Sequence, residues 1–86
     1  MRLDKYLKVS RIIKRRSVAN EACDSSYVEA NGRPVKASYQ VKQGDVLTVS
    51  FGTRKVKLRV LSINEHATKA DASEMYEVIE TVKNEE

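Results

Sequence analysis

The chain has 86 residues, a third of them charged, and a net charge of +4. A chain of this size buries only about 60–65% of its unfolded surface, too thin a core to surround a deep catalytic cleft as well. Residues 1–59 carry +9 and residues 60–86 carry −5, and a basic body with an acidic end points to a polyanionic partner, nucleic acid first. The single cysteine, Cys23, cannot form an internal disulfide and fits a reducing compartment. No apolar run is long enough for a membrane span or a signal-peptide core, so a soluble cytoplasmic protein without membrane association is expected.

Residues 2–9 read as a short helix, because Leu3, Tyr6 and Leu7 fall at i, i+3, i+4 and make one apolar face. Arg2, Asp4, Lys5 and Lys8 occupy the rest of that surface. Ser10-Arg11 breaks the pattern, and Ile12 and Ile13 can dock the connecting turn on the core. A second helix is expected from Ser17, with the Ser17 hydroxyl as N-cap and Glu21 in the first turn. Its buried stripe would be Val18, Ala19, Ala22 and Cys23. Arg15 and Arg16 precede the cap, so the chain holds two guanidinium groups at a fixed corner between helices.

From residue 27 the period changes to that of a strand. Tyr27-Val28-Glu29-Ala30 alternates, and Asn31-Gly32 supplies a tight hairpin turn that requires positive φ. Arg33-Pro34-Val35-Lys36 returns, with Pro34 confining it to a sheet edge or strand start. After a turn at Gly44-Asp45, residues 46–51 form the clearest strand. Gly52-Thr53-Arg54 turns the chain into a partner strand over Lys55–Ile63. There Val56, Leu58 and Val60 share one face, while Lys57 and Arg59 make a second basic stripe on the other. Residues 64–69 read as a loop, Ala70–Met75 as a turn or two of helix, Tyr76–Ile79 as a last strand, and Lys83–Glu86 as a fraying end. The chain accordingly divides into residues 1–63, a unit that includes a second hairpin, and residues 64–86, an acidic extension.

No motif carries catalysis. Gly32, Gly44 and Gly52 all fit turns rather than a phosphate-cradling loop. One histidine and one cysteine cannot build a structural zinc site, and His66 lies in a polar loop as a solvated residue. No cofactor and no metal are expected, and the chain reads as a binding protein rather than an enzyme.

Several segments nevertheless come in one order: Arg2-Leu3-Asp4-Lys5-Tyr6-Leu7, Ser10-Arg11, Lys14-Arg15-Arg16-Ser17-Val18-Ala19, Val28-Glu29-Ala30-Asn31-Gly32, Val35-Lys36-Ala37-Ser38 and Val41-Lys42-Gln43-Gly44-Asp45. Together they closely resemble the S-four RNA-binding domain, over residues 1 to about 50. The resemblance implies an α+β fold, the αL RNA-binding motif: two N-terminal helices on a small, bent, mostly antiparallel sheet, here with a short C-terminal extension. It also implies recognition of structured RNA by shape and phosphate contact, which suits arginine forks. One position departs from the family, where Ser26 stands for the usual glycine after the second helix. A left-handed serine there would cost on the order of 1 kcal/mol.

With the motif starting at Arg2 and 86 residues in all, a stand-alone member without a catalytic domain is expected. Lys5 to Arg11, Ile13 to Arg16, Phe51-Gly52 and Met75-Tyr76 resemble the branch that serves bacterial ribosome-associated quality control. That likeness implies large-subunit rRNA and P-site peptidyl-tRNA as partners. It further implies cooperation with an RqcH-like factor that tails stalled chains with alanine, and a monomer off the ribosome. A related branch, the fifteen-kilodalton heat-shock protein, implies recycling of large subunits instead; an RNA-binding accessory of a modifying enzyme is a third reading.

The RNA-binding residues expected are Arg2, Asp4, Lys5, Lys8, Arg11, Lys14, Arg15, Arg16 and Lys36, led by Arg16 and Arg2. Asp4 is suited to holding an arginine or accepting from a base, and equally to a plain helix-dipole role. Lys42, Arg54, Lys55, Lys57 and Arg59 would extend the footprint or serve as solvated surface charges. Leu3, Leu7, Val18, Ala22, Val28, Val49, Val60 and Tyr6 are the core candidates.

Overall fold

The computed structural model describes residues 1–83. Helix α1 (Leu3–Val9) buries Leu3, Tyr6 and Leu7 completely, the face given by their i, i+3, i+4 spacing. Its start is pinned from outside the helix. Leu3 N donates to Tyr39 O at 2.8 Å and Val41 N donates to Met1 O at 2.9 Å, so Arg2 pairs with Gln40 in a short bridge. The connecting turn docks through Ile13, which is buried, and Ile12, which packs on the core.

Helix α2 (Arg16–Asp24) starts one residue before the expected cap. Arg15 is the N-cap, in extended conformation and with no side-chain cap bond, so Ser17 lies inside the helix and Glu21 falls beyond the first turn. The buried stripe is correspondingly narrow. Ala19 and Cys23 are buried and Ala22 is half-buried, but Val18 is exposed, because the four-residue spacing of Ala19 and Cys23 defines the face turned to α1 and the sheet.

Helix α2 ends in a paired-bond closure. Tyr27 N donates to Ala22 O at 2.9 Å and Ser26 N donates to Cys23 O at 3.1 Å. Those are the two bonds of a Schellman motif, in which the residue just after the C-cap must be left-handed. Ser26 occupies that place at φ +66°, so the turn keeps the glycine conformation without the glycine.

Five strands form one antiparallel sheet: β1 (Val28–Ala30), β2 (Arg33–Pro34), β3 (Val46–Phe51), β4 (Arg54–Val60) and β5 (Tyr76–Lys83), in the order β2-β1-β3-β4-β5. Asn31 and Gly32 turn the first hairpin with φ +53° and +85°, and Pro34 sits on the edge strand, where its missing N–H costs nothing. Val28, Ala30, Leu47, Val49, Leu58 and Val60 point inward and meet the helices. Strand β4 ends at Val60, short of Ile63, because the N–H groups of Leu61 and Ser62 both donate to Met75 O.

Helix α3 (Lys69–Ala72) is a single capped turn in which Thr68 and Asp71 satisfy each other's backbone N–H. Strand β5 runs further than expected, to Lys83, which pairs with Arg54; a bulge opposite Lys57 and Leu58 leaves Ile79 unpaired. Residues 84–86, the rest of the segment expected to fray, lie outside the described residues. The Tyr6 hydroxyl donates to Met75 O at 2.8 Å and so ties α1 to the chain just before β5. Among the described residues no helix is long and apolar enough to cross a membrane.

Candidate nucleic-acid interface

The N-terminal basic residues gather around one buried carboxylate. Asp4 belongs to the first turn of α1 and its side chain is only 3% exposed. Oδ1 accepts from Lys5 N at 2.9 Å and Arg2 Nε at 3.1 Å. Oδ2 accepts from Asn20 Nδ2 at 3.1 Å, Arg16 Nε at 3.4 Å and Arg2 Nη2 at 3.5 Å. Burial alone would raise the Asp4 pKa, but the hydrogen bonds from Asn20, Arg2, Lys5 N and Arg16 outweigh it and hold the group below its ordinary range. Asp4 is therefore an anion at neutral pH that fastens two guanidinium groups, Arg2 side-on through Nε and Nη2 and Arg16 through Nε.

That geometry decides what the arginines can still do. About half of each arginine side chain remains exposed. A guanidinium has five N–H donors; Arg16 commits only Nε to Asp4, and among the described residues both nitrogens of its outer fork stay available. Two pre-aimed forks at one corner suit two neighbouring phosphates, because little side-chain freedom remains to be lost on binding.

Arg15, Lys14 and Arg11 continue the exposed basic surface along the turn between the helices. Arg11 closes α1 at φ +63°, with its N–H bonded to Lys8 O at 3.1 Å. Lys8 is exposed on the last turn of α1. Lys5 is already engaged, its Nζ lying 3.1 Å from Glu65 Oε1.

Lys36 stands apart from this group. Its Nζ donates to Asp24 O at 3.4 Å, at the C-terminal end of α2, roughly 12 Å along the helix axis from Arg16. The stripe on β4 is also separate. It lies on the sheet face turned away from the helices, where Lys57 is opposite Glu80 and Arg59 is opposite Glu77, with Arg59 Nη1 3.5 Å from the Glu77 carboxylate. Sequence reading missed Asn20, which lies four residues after Arg16 and hence on the same helix face; that spacing was the available signal.

A second buried carboxylate organises the other end of the domain. Asp45 accepts from Tyr39 OH at 2.8 Å, Lys42 N at 2.9 Å and Asn31 Nδ2 at 3.2 Å, while Asn31 Oδ1 accepts from Val46 N at 3.0 Å. Burial pushes the Asp45 pKa up, but the donors from Lys42 N, Tyr39 and Asn31 bring it below its ordinary value. This network locks the first hairpin to the start of β3, and the 37–41 segment that supports Arg2 hangs from it. Cys23 is buried, and burial, with the charges of Asp4 and Asp24, pushes its thiol up to about 11, so it is packing rather than a nucleophile.

Residues 1–47 match the family model described as the S4 domain. The chain is 45% identical over 86 residues to the RQC P-site tRNA stabilizing factor of Streptococcus pneumoniae, covering all of this chain and 98% of that protein. It is 46% identical over 83 residues to the protein of the same name in Bacillus subtilis, covering 96% of both. Its fold is also similar to the solved trimeric structure of Vibrio cholerae heat shock protein 15, with a TM-score of 0.84 and 29% identity over 91% of this chain and 80% of that one. Sequence, corner geometry and likeness over the whole length agree: the chain belongs to the S4-domain family of RQC P-site tRNA stabilizing factors.

Proposed function

We propose that the protein binds obstructed large ribosomal subunits in the cytoplasm and steadies P-site peptidyl-tRNA during RqcH-dependent alanine tailing of the stalled chain. Its contribution is positional and not catalytic. Residues 1–63 act as the RNA-binding unit and residues 64–86 as an acidic extension of it. Arg2 and Arg16 make the leading RNA contacts, Asp4 aims them, and Lys5, Lys8, Arg11, Lys14 and Arg15 add phosphate contacts, with Lys36 at the margin.

The observation that carries this reading is the pair of arginines fastened to Asp4, Arg16 through Nε alone and Arg2 through Nε and Nη2, which among the described residues leaves both Nη groups of Arg16 and Nη1 of Arg2 open to a ligand. The names of the full-length relatives supply the ribosomal setting. Likeness to heat shock protein 15 supports a second reading, recycling of free large subunits.

Tagged protein recovered from cells at moderate salt separates the two, with attached RNA sequenced and attached protein identified by mass spectrometry. Large-subunit rRNA, tRNA and an RqcH-like protein, with small-subunit RNA depleted, is the expected result. Large subunits without an RqcH-like partner favour recycling, and an absence of ribosomal RNA overturns both.

A further inference from the structure

Beyond the Arg2–Arg16 corner lies a second basic concavity that the S4 match, ending at residue 47, does not span. It is a cleft of about 670 Å³ between the α1 side of the domain and the segment leading into α3. Lys8, Arg11 and Lys14 form one wall, and Glu65 and Lys69 come from the other. Lys5 reaches its rim through the 3.1 Å contact with Glu65.

The folded chain fixes both walls. Leu61 N and Ser62 N donate to Met75 O, the same carbonyl that Tyr6 OH holds against α1. Ala67 packs on the core, and the reciprocal bonds of Thr68 and Asp71 set where Lys69 begins its helical turn. Lys69 is thus brought to the basic wall by the architecture of an otherwise acidic segment.

The charges of the cleft are unbalanced. Among the described residues Lys8, Arg11, Lys14 and Lys69 form no ion pair, and Glu65 is committed to Lys5. Four unpaired cations around one space repel one another, and an anion entering it relieves that repulsion. In the Lys5–Glu65 pair Glu65 is exposed and Lys5 is half-buried, so the pair stays in contact with solvent, is weak and is readily displaced by a polyanion.

We infer that this cleft is a second phosphate-binding subsite for the RNA backbone, completed by Lys69 and guarded by Glu65. It rests on the RNA-binding reading given above and extends it to the segment after β4. Glu65 occupies Lys5 in the free protein and repels any phosphate that enters, so it lowers affinity for RNA that does not also engage the arginine corner. Lys69 contributes one phosphate contact, which ties the segment to the bound RNA.

Binding of the full chain to purified large ribosomal subunits, measured across a salt series, tests this. Lys69→Ala is expected to weaken binding about 3–10-fold at 0.1 M salt and to reduce the salt slope by roughly 0.7–0.9, the value of one phosphate contact. Lys14→Ala should act in the same direction. Glu65→Gln, which keeps a hydrogen bond to Lys5 and removes the charge, should tighten binding about 3-fold. Wild-type affinity and slope in all three variants, with binding lost in Arg16→Ala, overturns the cleft and leaves the corner standing. Binding insensitive to Arg16→Ala as well, or no binding by the wild type, overturns the RNA-binding reading and the cleft with it.

Discussion

Arg16 Nε and Asn20 Nδ2 donate to the same oxygen of Asp4, at 3.4 and 3.1 Å, so α2 is fastened to α1 through one carboxylate at two points a helical turn apart. The division of labour between the two donors follows from their exposure: Asn20 is half-buried and Arg16 is open to solvent. Truncating Arg16 leaves Asp4 with Asn20, Arg2 and Lys5 N as partners. Arg16→Ala is therefore expected to abolish association with large subunits, read by co-sedimentation, while lowering stability by only about 0.5–1 kcal/mol. A large drop in melting temperature would make Arg16 a structural residue instead.

The corner and its flank present six exposed cations, Arg2, Lys8, Arg11, Lys14, Arg15 and Arg16. If each meets one phosphate, the slope of log affinity against log salt should be near −4 to −5. Doubling salt from 0.1 to 0.2 M then weakens binding about 20-fold. A flat response would rule out a charge-led interface.

Acid should act through Asp4 and Asp45. Both have pKa values held below the ordinary 3.8 by hydrogen bonds that overcome the opposing effect of burial. A carboxylate depressed in the folded state contributes stability that is fully present above its unfolded value and is lost as pH falls through its folded value. From these two groups the melting temperature should be level from pH 7 to 5 and fall below about pH 4. Asp45→Asn should be less stable than wild type at pH 7, because it places an amide before Tyr39 OH, Lys42 N or Asn31 Nδ2, and the gap should narrow in acid. A gap that stays constant from pH 7 to 3 would show that the Asp45 charge contributes nothing.

The elements with periodic signals were legible in the sequence. Leu3, Tyr6 and Leu7 define α1, Asn31-Gly32 defines the first hairpin, and alternation defines β3 and β4. The start of α2 was not. Ser17 is the better cap by chemistry, yet Asp4 draws Arg16 into the helix and makes Arg15 the cap, a tertiary contact that no local pattern announces. Val18 is exposed for a different reason: a nine-residue helix against a small domain buries little more than the Ala19 and Cys23 face. The full length of β5 was hidden because Val78, Ile79 and Val82 sit on an exposed edge strand with a bulge, and so lack a clean alternation. In the site, the basic residues could be named from sequence; the sorting of Lys36 away from the corner, and the joining of Lys69 to Lys14, needed the fold.

Ser26 stores a local cost that glycine would remove. Its φ of +66° is imposed by the closing bonds of α2, which glycine would make equally well. Ser26→Gly relieves roughly 1 kcal/mol of left-handed strain and gives back part of it through greater freedom of the unfolded chain. A net gain of about 0.5 kcal/mol is expected, read as a small rise in the urea midpoint at constant m-value. A loss of stability would mean that the serine hydroxyl compensates for the strain.

The Tyr6 hydroxyl links the N-terminal helix to the C-terminal part of the chain, while the ring packs in the core as a phenylalanine would. It is fully buried, its bond to Met75 O is 2.8 Å long, and burial pushes its ionisation far above the usual range. Met75 O also accepts from Leu61 N and Ser62 N, so removing the hydroxyl leaves no orphaned acceptor. Tyr6→Phe should accordingly cost about 0.5–1.5 kcal/mol, the net worth of one hydrogen bond, and not the larger penalty of an unpaired buried carbonyl. For a domain of this size that corresponds to a fall in melting temperature of roughly 3–10 °C. Subunit affinity measured well below the transition should be unchanged to first order, because Arg2 and Arg16 are held by Asp4 and not by Tyr6. A loss of affinity with little loss of stability would instead mean that the hydroxyl positions the segment carrying Glu65 and Lys69.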